Sequence, residues 1–317
     1  MNNELRLDNL SKEEIEVVKK DIKKITNTYK KNNENIYYDG TTLLNKLDLH
    51  GNKPEIYMVT SNRSAGKTTY FNRLAINRFK KYGERFCLLY RFDYELTNVG
   101  EKFFKDIHTL FFKNDTLTDK KIARGKIIEL YLNKKLCGYA VALNNADAIK
   151  KHSHYLSDVQ RIIFDEFQSE TNNYCSQEIH KFISIHTSIA RGQNKMVRYV
   201  PVYMISNPVT LLNPYFAKFG IASRLKETTK YLKGDGWILE QNLNKNALKS
   251  AEQSAFNRAF ASDKYIAYSS QGIYLTNDKA FLTTNKELSG KNNYICTFKV
   301  DGKEYALREY TEIGLIY

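Results

Sequence analysis

The stretch Glu55-Ile-Tyr-Met-Val-Thr60, followed directly by Ser61-Asn-Arg-Ser-Ala-Gly-Lys-Thr68, decides the fold. An apolar strand, a short loop and a helix that begins at Lys67 follow one another without a break. Backbone N–H groups and the dipole at a helix N-terminus favour negative charge. The stretch therefore predicts a phosphate-binding loop for ATP, whose candidate residues are Ser61, Asn62, Arg63, Ser64, Ala65, Gly66, Lys67, Thr68 and Thr69.

Two side chains of the loop carry its predicted chemistry, and one position departs from the usual pattern. Lys67 supplies a point charge for the β and γ phosphates, and the Thr68 hydroxyl is a predicted ligand of Mg²⁺. The usual GxxxxGK[ST] pattern begins with glycine, whereas Ser61 stands there in this chain. A serine restricts the turn more than glycine does, so the mobility of the loop is expected to differ.

A second motif, Arg161-Ile-Ile-Phe-Asp-Glu166, follows about 100 residues later and ends an apolar run in two carboxylates. We expect Asp165, at the end of this strand, to hold Mg²⁺ directly or through water. Glu166 is the candidate catalytic residue that polarises the attacking water. On their own, acidic residues at the end of a strand are as often solvent-exposed residues at the edge of a sheet. Their position after a phosphate loop favours a hydrolytic site.

Further polar residues are candidates for completing this site. Arg63 within the loop and Arg191 after an apolar helical stretch are candidates for stabilising charge on the transferred phosphoryl group. An arginine on the glycine-bearing turn at Arg191 also suits a finger that reaches a neighbouring subunit. Ser206 and Asn207 end another apolar strand and are candidates for sensing the γ-phosphate, although strand-ending Asn-Pro is also a common turn.

Alternating strands and helices predict an α/β fold with a central, mostly parallel sheet. Beyond the loop, the pattern predicts a helix from Lys67 to Tyr82, a helical stretch at 176–190 and strands at 85–91, 159–164 and 197–206. It also predicts a hairpin around Asn133-Lys134-Lys135. We predict an N-terminal helical extension at 1–50, an ATPase domain at 51–224, a linker at 225–236 and a small α+β domain at 237–317, with a helical stretch at 243–260 and strands near 265–268, 272–275, 294–300 and 304–309.

Composition narrows the class of protein. The 49 Lys and Arg residues against 35 Asp and Glu give a net charge of +14, which favours polyanion partners, nucleic acid first. The four cysteines show no CxxC spacing, so a disulfide framework and a zinc site are not expected. No apolar run reaches the length of a membrane span, and the N-terminus lacks the layout of a secretory signal. No membrane partner is expected.

Together these motifs resemble the DNA-packaging (encapsidation) ATPases of small podophages, in the additional-strand class of P-loop motors that also holds terminases and FtsK/HerA translocases. The resemblance is carried by the phosphate loop, INRFKKYGERF (76–86), YEL (94–96), GYAVAL (138–143), IIFDEF (162–167), Ser206-Asn207 and NPYF (213–216). It covers about residues 53–220 well.

The resemblance implies a homo-oligomeric ring, a pentamer, which sits at the prohead portal and pumps viral double-stranded DNA, with or without a packaging RNA. It implies action in the host cytoplasm and absence from the mature virion. By motif, Arg191 lies where the trans-acting finger of the family sits, and Ser206 and Asn207 match its coupling motif. The C-terminal part resembles the opening strands of a vestigial RNase H-like nuclease domain and is expected to be short or incomplete.

Four alternatives stay open at this level. A terminase-type enzyme would also cut DNA, which needs an acidic cluster that holds two metals. A nucleotide kinase would share the phosphate loop but not the hydrolytic glutamate. A non-hydrolysing DNA-binding module, or another P-loop translocase or helicase, would share much of the pattern. The pair Asp165 and Glu166 favours hydrolysis over the kinase.

Overall fold

The structure is a computed structural model that describes residues 37–192, 196–226, 228–260, 262, 293–310 and 315–316. Residues 1–36 of the predicted N-terminal helical extension and the strands predicted at 265–268 and 272–275 lie outside these residues. None of the helices in the described ranges is both long and apolar enough to cross a bilayer.

In the described part of the chain, the core is a nine-stranded sheet. Its strands are β1 (Ile56–Ser61), β2 (Arg85–Tyr90), β3 (Leu117–Ile122), β4 (Ile127–Leu132), β5 (Lys135–Ala142), β6 (Val159–Asp165), β7 (Val202–Ser206), β8 (Tyr231–Gly234) and β9 (Trp237–Asn242). Their order is β3-β4-β5-β2-β6-β7-β1-β9-β8. The six central strands, β5 to β9 in this order, are parallel, and β3, β4 and β8 pair antiparallel at the edges. The predicted α/β class is confirmed, and β7 is the additional strand between β1 and β6.

Helices cover this sheet. They are α1 (Thr41–Leu44), α2 (Lys67–Tyr82), α3 (Val99–Phe111), α4 (Ala146–Lys151), α5 (Glu178–Ala190), α6 (Pro214–Phe219), α7 (Lys245–Gln253) and α8 (Ala255–Ala259), with 3₁₀ segments at Asp93–Leu96, Ala123–Gly125, Leu143–Asn145 and Ser153–Leu156. Helix α2 has the predicted span and ends at Gly83, whose left-handed backbone lets its N–H reach the carbonyl of Phe79.

The two faces of the sheet bury separate apolar cores, because successive side chains of a strand point to opposite faces. Met58 of β1 belongs to the core that contains Ile185 of α5. Its neighbour Val59 belongs to the core that contains Phe71 of α2. Helices α2 and α5 therefore lie on opposite faces, and both are anchored to strands that end near the phosphate loop.

The hairpin predicted around Asn133 is confirmed at β4–β5. The strands predicted near 294–300 and 304–309 also form a hairpin, in a second, three-stranded sheet of β10 (Asn293–Val300), β11 (Lys303–Tyr310) and β12 (Leu315–Ile316). Asn133 and Lys134 both have positive φ, as a two-residue turn of this kind requires. Asp301 and Gly302 form the equivalent turn between β10 and β11.

Two predicted boundaries differ from the structure. The strand predicted at 197–206 begins only at Val202, after Pro201, which has no N–H for a ladder. Residues 231–242, predicted to lie in a linker and at the start of a C-terminal domain, form β8 and β9 of the main sheet. Strand β9 runs parallel to β1 and buries Trp237, Ile238 and Leu239 there, and this long-range pairing has no local sequence signal.

Candidate active site

The phosphate loop joins β1 to α2 at the carboxyl end of the strand. Gly66, the residue before the helix, has φ +90°, and a Cβ there would lie 3.0 Å from the Cβ of Tyr37. Glycine is required at this position for both reasons. The first turn of α2 leaves backbone N–H groups without intrahelical partners, directed at the loop. The local geometry therefore fits a bound phosphate.

Lys67 is buried and lies at the centre of the loop. Its Nζ donates to the carbonyl oxygen of Ser61 at 2.9 Å, to that of Asn62 at 3.1 Å and to Oδ1 of Asn207 at 3.2 Å. Burial lowers its pKa to about 8, against the opposing attraction of Asp165. An ammonium group held by neutral oxygens in this way favours an approaching anion.

Ser61 has a role that the sequence pattern did not indicate. It is the last residue of β1 and is not among the residues with positive φ, so glycine is not needed there. Its Oγ accepts a hydrogen bond from Nζ of Lys67 at 2.9 Å. The serine thus adds an oxygen that orients the lysine, and its side chain costs the loop no backbone strain.

Thr68 and Asp165 are brought together, as predicted for a magnesium site. Thr68 Oγ1 donates to Oδ2 of Asp165 at 2.8 Å. Burial raises the pKa of Asp165 to about 6, while the bond from Thr68 opposes the shift. A hydroxyl and a carboxylate oxygen at this separation are the kind of ligands that Mg²⁺ takes beside phosphate oxygens, so the residues present fit the ion.

Glu166 follows with a left-handed backbone, φ +55°, which is uncommon for a residue other than glycine. Its N–H donates to Oδ1 of Asp165 at 3.0 Å, and its side chain is exposed. Arg91 also stabilises the backbone turn at Glu166. Its Nη1 donates to the carbonyl of Glu166 at 3.2 Å and its Nη2 to that of Phe167 at 2.7 Å. The unusual backbone is therefore stabilised by hydrogen bonds at both of its ends.

Arg91 is itself fixed in a buried network. Its Nε lies 3.0 Å from Oε2 of Glu178, the first residue of α5, and the hydroxyl of Tyr215 donates to Oε1 at 2.9 Å. Both charged side chains are almost fully buried, with 7% and 1% exposure. The attraction of Glu178 keeps the pKa of Arg91 above its usual value despite burial. Nothing in the local sequence distinguished this arginine from a surface residue.

A second link joins the loop to a distant part of the chain. The side-chain Oδ1 of Asn62 accepts from the N–H of Asn244 at 2.9 Å, and its Nδ2 donates to the carbonyl of Asn244 at 3.1 Å. These bonds follow the register of β1 and β9, which ends at Ser61 and Asn242. The side chain of Asn244 in turn caps α7 by accepting from Asn246 and Ala247.

The remaining candidates fall in different places. Arg63 forms an exposed ion pair with Glu170, four residues after Glu166. Ser206 is buried at the end of β7, and its Oγ finds no hydrogen-bond partner among the described residues. Its neighbour Asn207 contacts Lys67, as stated above. Arg191 is exposed at the end of α5, and no hydrogen bond or ion pair joins it to the loop in the described residues.

Comparison with known proteins agrees with this geometry. The family model described as podovirus DNA encapsidation protein (Gp16) matches residues 33–304. The DNA packaging proteins of Bacillus phages phi29 and PZA are each 29% identical over 161 residues, which is 50% of this chain and 44% of those relatives. The chain therefore aligns with less than half the length of these proteins.

Two solved structures share the fold. The N-terminal domain of the DNA packaging ATPase from bacteriophage phi29 is 25% identical, with a TM-score of 0.53 over 65% of this chain and 96% of that domain. The phi29 genome packaging motor assembly contains a chain that is 22% identical, with a TM-score of 0.57 over 89% of this chain and 79% of the other. The second likeness supports the fold alone.

Proposed function

Because the chain belongs to the podovirus DNA encapsidation protein family, we propose that it is an ATP-hydrolysing motor that moves viral double-stranded DNA into a prohead. The observation that carries the proposal is the meeting of Lys67 with the Thr68–Asp165 pair at one helix N-terminus. Glu166, the next residue along the chain, completes the set. ATP is the proposed nucleotide.

Each residue has a distinct proposed role. Lys67 exchanges its present oxygen acceptors for the β and γ phosphates. Thr68 and Asp165 hold Mg²⁺, which when bound supplies neutralising charge to the phosphate oxygens. Glu166 orients the attacking water and accepts its proton. Asn207, the residue after β7, accepts a hydrogen bond from Lys67 at 3.2 Å, so loss of the γ-phosphate would change this contact next to Ser206.

Arg191 is proposed to act on a neighbouring copy. The N–H of Arg198 donates to the carbonyl of Ala190, and its Nη1 donates to that of Val159, so the end of α5 lies beside the start of β6. At ~3.3 Å per residue, the Asp165 end of β6 lies about 20 Å from the start of β6 and therefore from the end of α5. An arginine at that edge lies far from the phosphate loop of its own subunit. This distance supports a ring in which Arg191 contacts the ATP of the next subunit. Arg63, tied to Glu170, is proposed to stabilise phosphoryl charge from within the loop.

The proposed assembly is a homo-oligomeric ring, a pentamer, on the portal of the prohead in the host cytoplasm. The net charge of +14 supports a DNA partner. The test is the ATPase rate of the purified chain alone, with double-stranded DNA, and with DNA and proheads together. We expect stimulation by DNA and further stimulation by proheads. A rate that responds to neither would contradict a packaging motor.

A further inference from the structure

A cleft of about 300 Å³ opens at the edge of the sheet opposite to the phosphate loop. Its walls include Tyr57 near the start of β1, Arg161 near the start of β6 and Tyr203 near the start of β7. Because these parallel strands carry the phosphate loop and Asp165 at their other ends, the cleft is separate from the candidate active site. It lies on the α2 face, since Tyr57 and Tyr203 belong to the core around Phe71.

The cleft holds more positive charge than its own carboxylate neutralises. Arg78 and Arg161 both pair with Glu84, with Arg78 Nε donating to Oε2 of Glu84 at 2.8 Å. Lys53 adds a third cation, 4.5 Å above the ring of Tyr199. Three cations against one carboxylate leave a local excess of two charges.

Of the two arginines, Arg161 is the less completely paired, since it reaches Glu84 only through Nη2. It is buried, with 6% exposure, and its Nε makes no hydrogen bond to any described residue. A buried guanidinium with an unused N–H is costly unless an anion completes its pairing. Glu84 bonds only Nη2 of Arg161, and it shares both of its oxygens with the guanidinium of Arg78, so it leaves the Nε of Arg161 unpaired.

Tyrosine hydroxyls provide neutral donors beside these cations. Tyr203 is largely buried and lines the cleft. The hydroxyls of Tyr57 and Tyr199 lie 3.4 Å apart, and Tyr199 donates to the carbonyl of Pro54. Planar arginine forks and phenol hydroxyls around a small cleft suit a tetrahedral oxyanion.

We propose that this cleft binds a phosphate group, held by Arg161, Arg78, Lys53 and the hydroxyl of Tyr203. A phosphate dianion matches the excess of two positive charges on the walls. The phosphate belongs either to a free ligand, which carries this dianionic charge, or to a nucleic-acid backbone, whose phosphodiester carries one negative charge and would use the same contacts. The site goes beyond the proposed ATPase function, since it shares no residue with the phosphate loop.

The test uses the full chain with Lys67→Ala, so that the phosphate loop no longer competes for the probe. Inorganic phosphate is titrated by calorimetry into this protein and into versions that also carry Arg161→Met or Tyr203→Phe. We expect binding at one site, weakened roughly tenfold or more by Arg161→Met and less by Tyr203→Phe. Lys120→Ala, which removes a charge from exposed strand β3 at the far edge of the sheet, is the matched control and should change nothing.

A second arm replaces phosphate with a 20-base-pair DNA duplex, to separate the two sources. Loss of duplex affinity in Arg161→Met assigns the site to nucleic-acid phosphate, whereas unchanged duplex affinity assigns it to a free phosphate ligand. Tyr203→Phe guards against misfolding, because it removes a single hydroxyl. The proposal is overturned if phosphate does not bind to the Lys67→Ala protein, or if both cleft variants bind it as tightly as the control. A failed ATPase assay would leave this result untouched.

Discussion

Asn62 and Asn244 lie 182 residues apart, yet the side-chain amide of the first pairs with the backbone of the second through two hydrogen bonds. The amide extends the β1–β9 ladder by one step past the last strand residue. The carbonyl of Asn62 also accepts from Lys67, so one loop residue contacts both Lys67 and the cap of α7. The shape of the phosphate loop therefore depends on a segment far along the chain.

We predict that Asn62→Leu weakens ATP binding by roughly tenfold, because the loop loses two hydrogen bonds in a buried setting, each contributing about 1 kcal/mol. The same change frees the N–H of Asn244. Hydrogen exchange over residues 243–253 should then accelerate relative to the parent chain, and nucleotide affinity can be measured by calorimetry.

The matched control is Asn244→Ser. Serine is also a good helix cap, and the backbone of residue 244 still pairs with Asn62. ATP affinity in this variant should stay within about twofold of the parent. Equal losses in both variants would show that the side-chain amide of Asn244, and not its backbone bonds to Asn62, supports the loop.

Glu166→Gln should separate binding from hydrolysis. The amide cannot accept a proton from water, so we expect the hydrolysis rate to fall by about 10² or more while ATP still binds. Glu101→Gln, on the exposed side of α3, removes a carboxylate remote from the site and should leave the rate unchanged. Hydrolysis that persists in Glu166→Gln would remove Glu166 from the catalytic role.

Arg91 is predicted to be a positioning residue for Glu166. Arg91→Lys keeps a charge beside Glu178 but lacks the fork that reaches the carbonyls of both Glu166 and Phe167. We expect kcat to fall roughly tenfold or more, with the affinity for ATP changed much less, because the left-handed turn at Glu166 loses its support.

The control for the same substitution is Arg124→Lys. Arg124 is exposed in the 3₁₀ segment Ala123–Gly125, so this change should have no effect on kcat. Tyr215→Phe removes one hydrogen bond to Glu178 and should produce a smaller loss than Arg91→Lys. A parallel fall in kcat and ATP affinity in Arg91→Lys would indicate general damage to the fold instead of a role at Glu166.

Local sequence was sufficient to predict the phosphate loop and the strand and helix on either side of it. Gly66 and Gly83 mark both ends of α2, and the polar turns at Asn133 and Asp301 mark two hairpins, because these signals act over a few residues. The candidates Lys67, Thr68, Asp165 and Asn207 also converge, since parallel strands present their carboxyl ends at one edge.

The parts that sequence did not indicate depend on long-range pairing. Strand β9 is placed by its register with β1, and β3 by its register with β4, and neither register is encoded in a local pattern. Arg91 followed an apolar strand in the sequence, but whether such an arginine faces solvent or a buried glutamate depends on α5, almost 90 residues later. The reason for serine at position 61 is its contact with Lys67, which the motif alone does not indicate.

Arg191→Ala should abolish hydrolysis in the ring while ATP binding stays near normal, if the arginine serves a neighbouring subunit. Mixing this variant with Lys67→Ala subunits is the sharper experiment, because a mixed interface pairs an intact loop with an intact finger. We expect activity to reappear and to depend on the mixing ratio. Absence of activity at every ratio would count against action in trans.

The pair Glu55–His186 predicts how stability responds to pH. His186 Nε2 lies 3.5 Å from Oε1 of Glu55. Burial lowers the pKa of His186, but its hydrogen bonds to Glu55 and to the carbonyl of Val200 outweigh this and raise it above its ordinary 6.5. Although burial acts upward on Glu55, the contacts with His186 and Val200 hold its pKa below 4.5.

The direction in which stability changes with pH follows from these two pKa shifts. The histidine's contribution is fully present below pH 6.5 and is lost as pH rises through its raised pKa, whereas the glutamate's is present above pH 4.5 and is lost as pH falls through its lowered pKa. His186→Gln should therefore cost about 0.5 kcal/mol more at pH 5.5 than at pH 8.5, a small value because both side chains are partly exposed. Urea unfolding of the parent and the variant at both pH values measures this difference. His180→Gln, exposed on the same helix, is the control, and a cost in His186→Gln that is larger at pH 8.5 would show that the pair does not act through its charges.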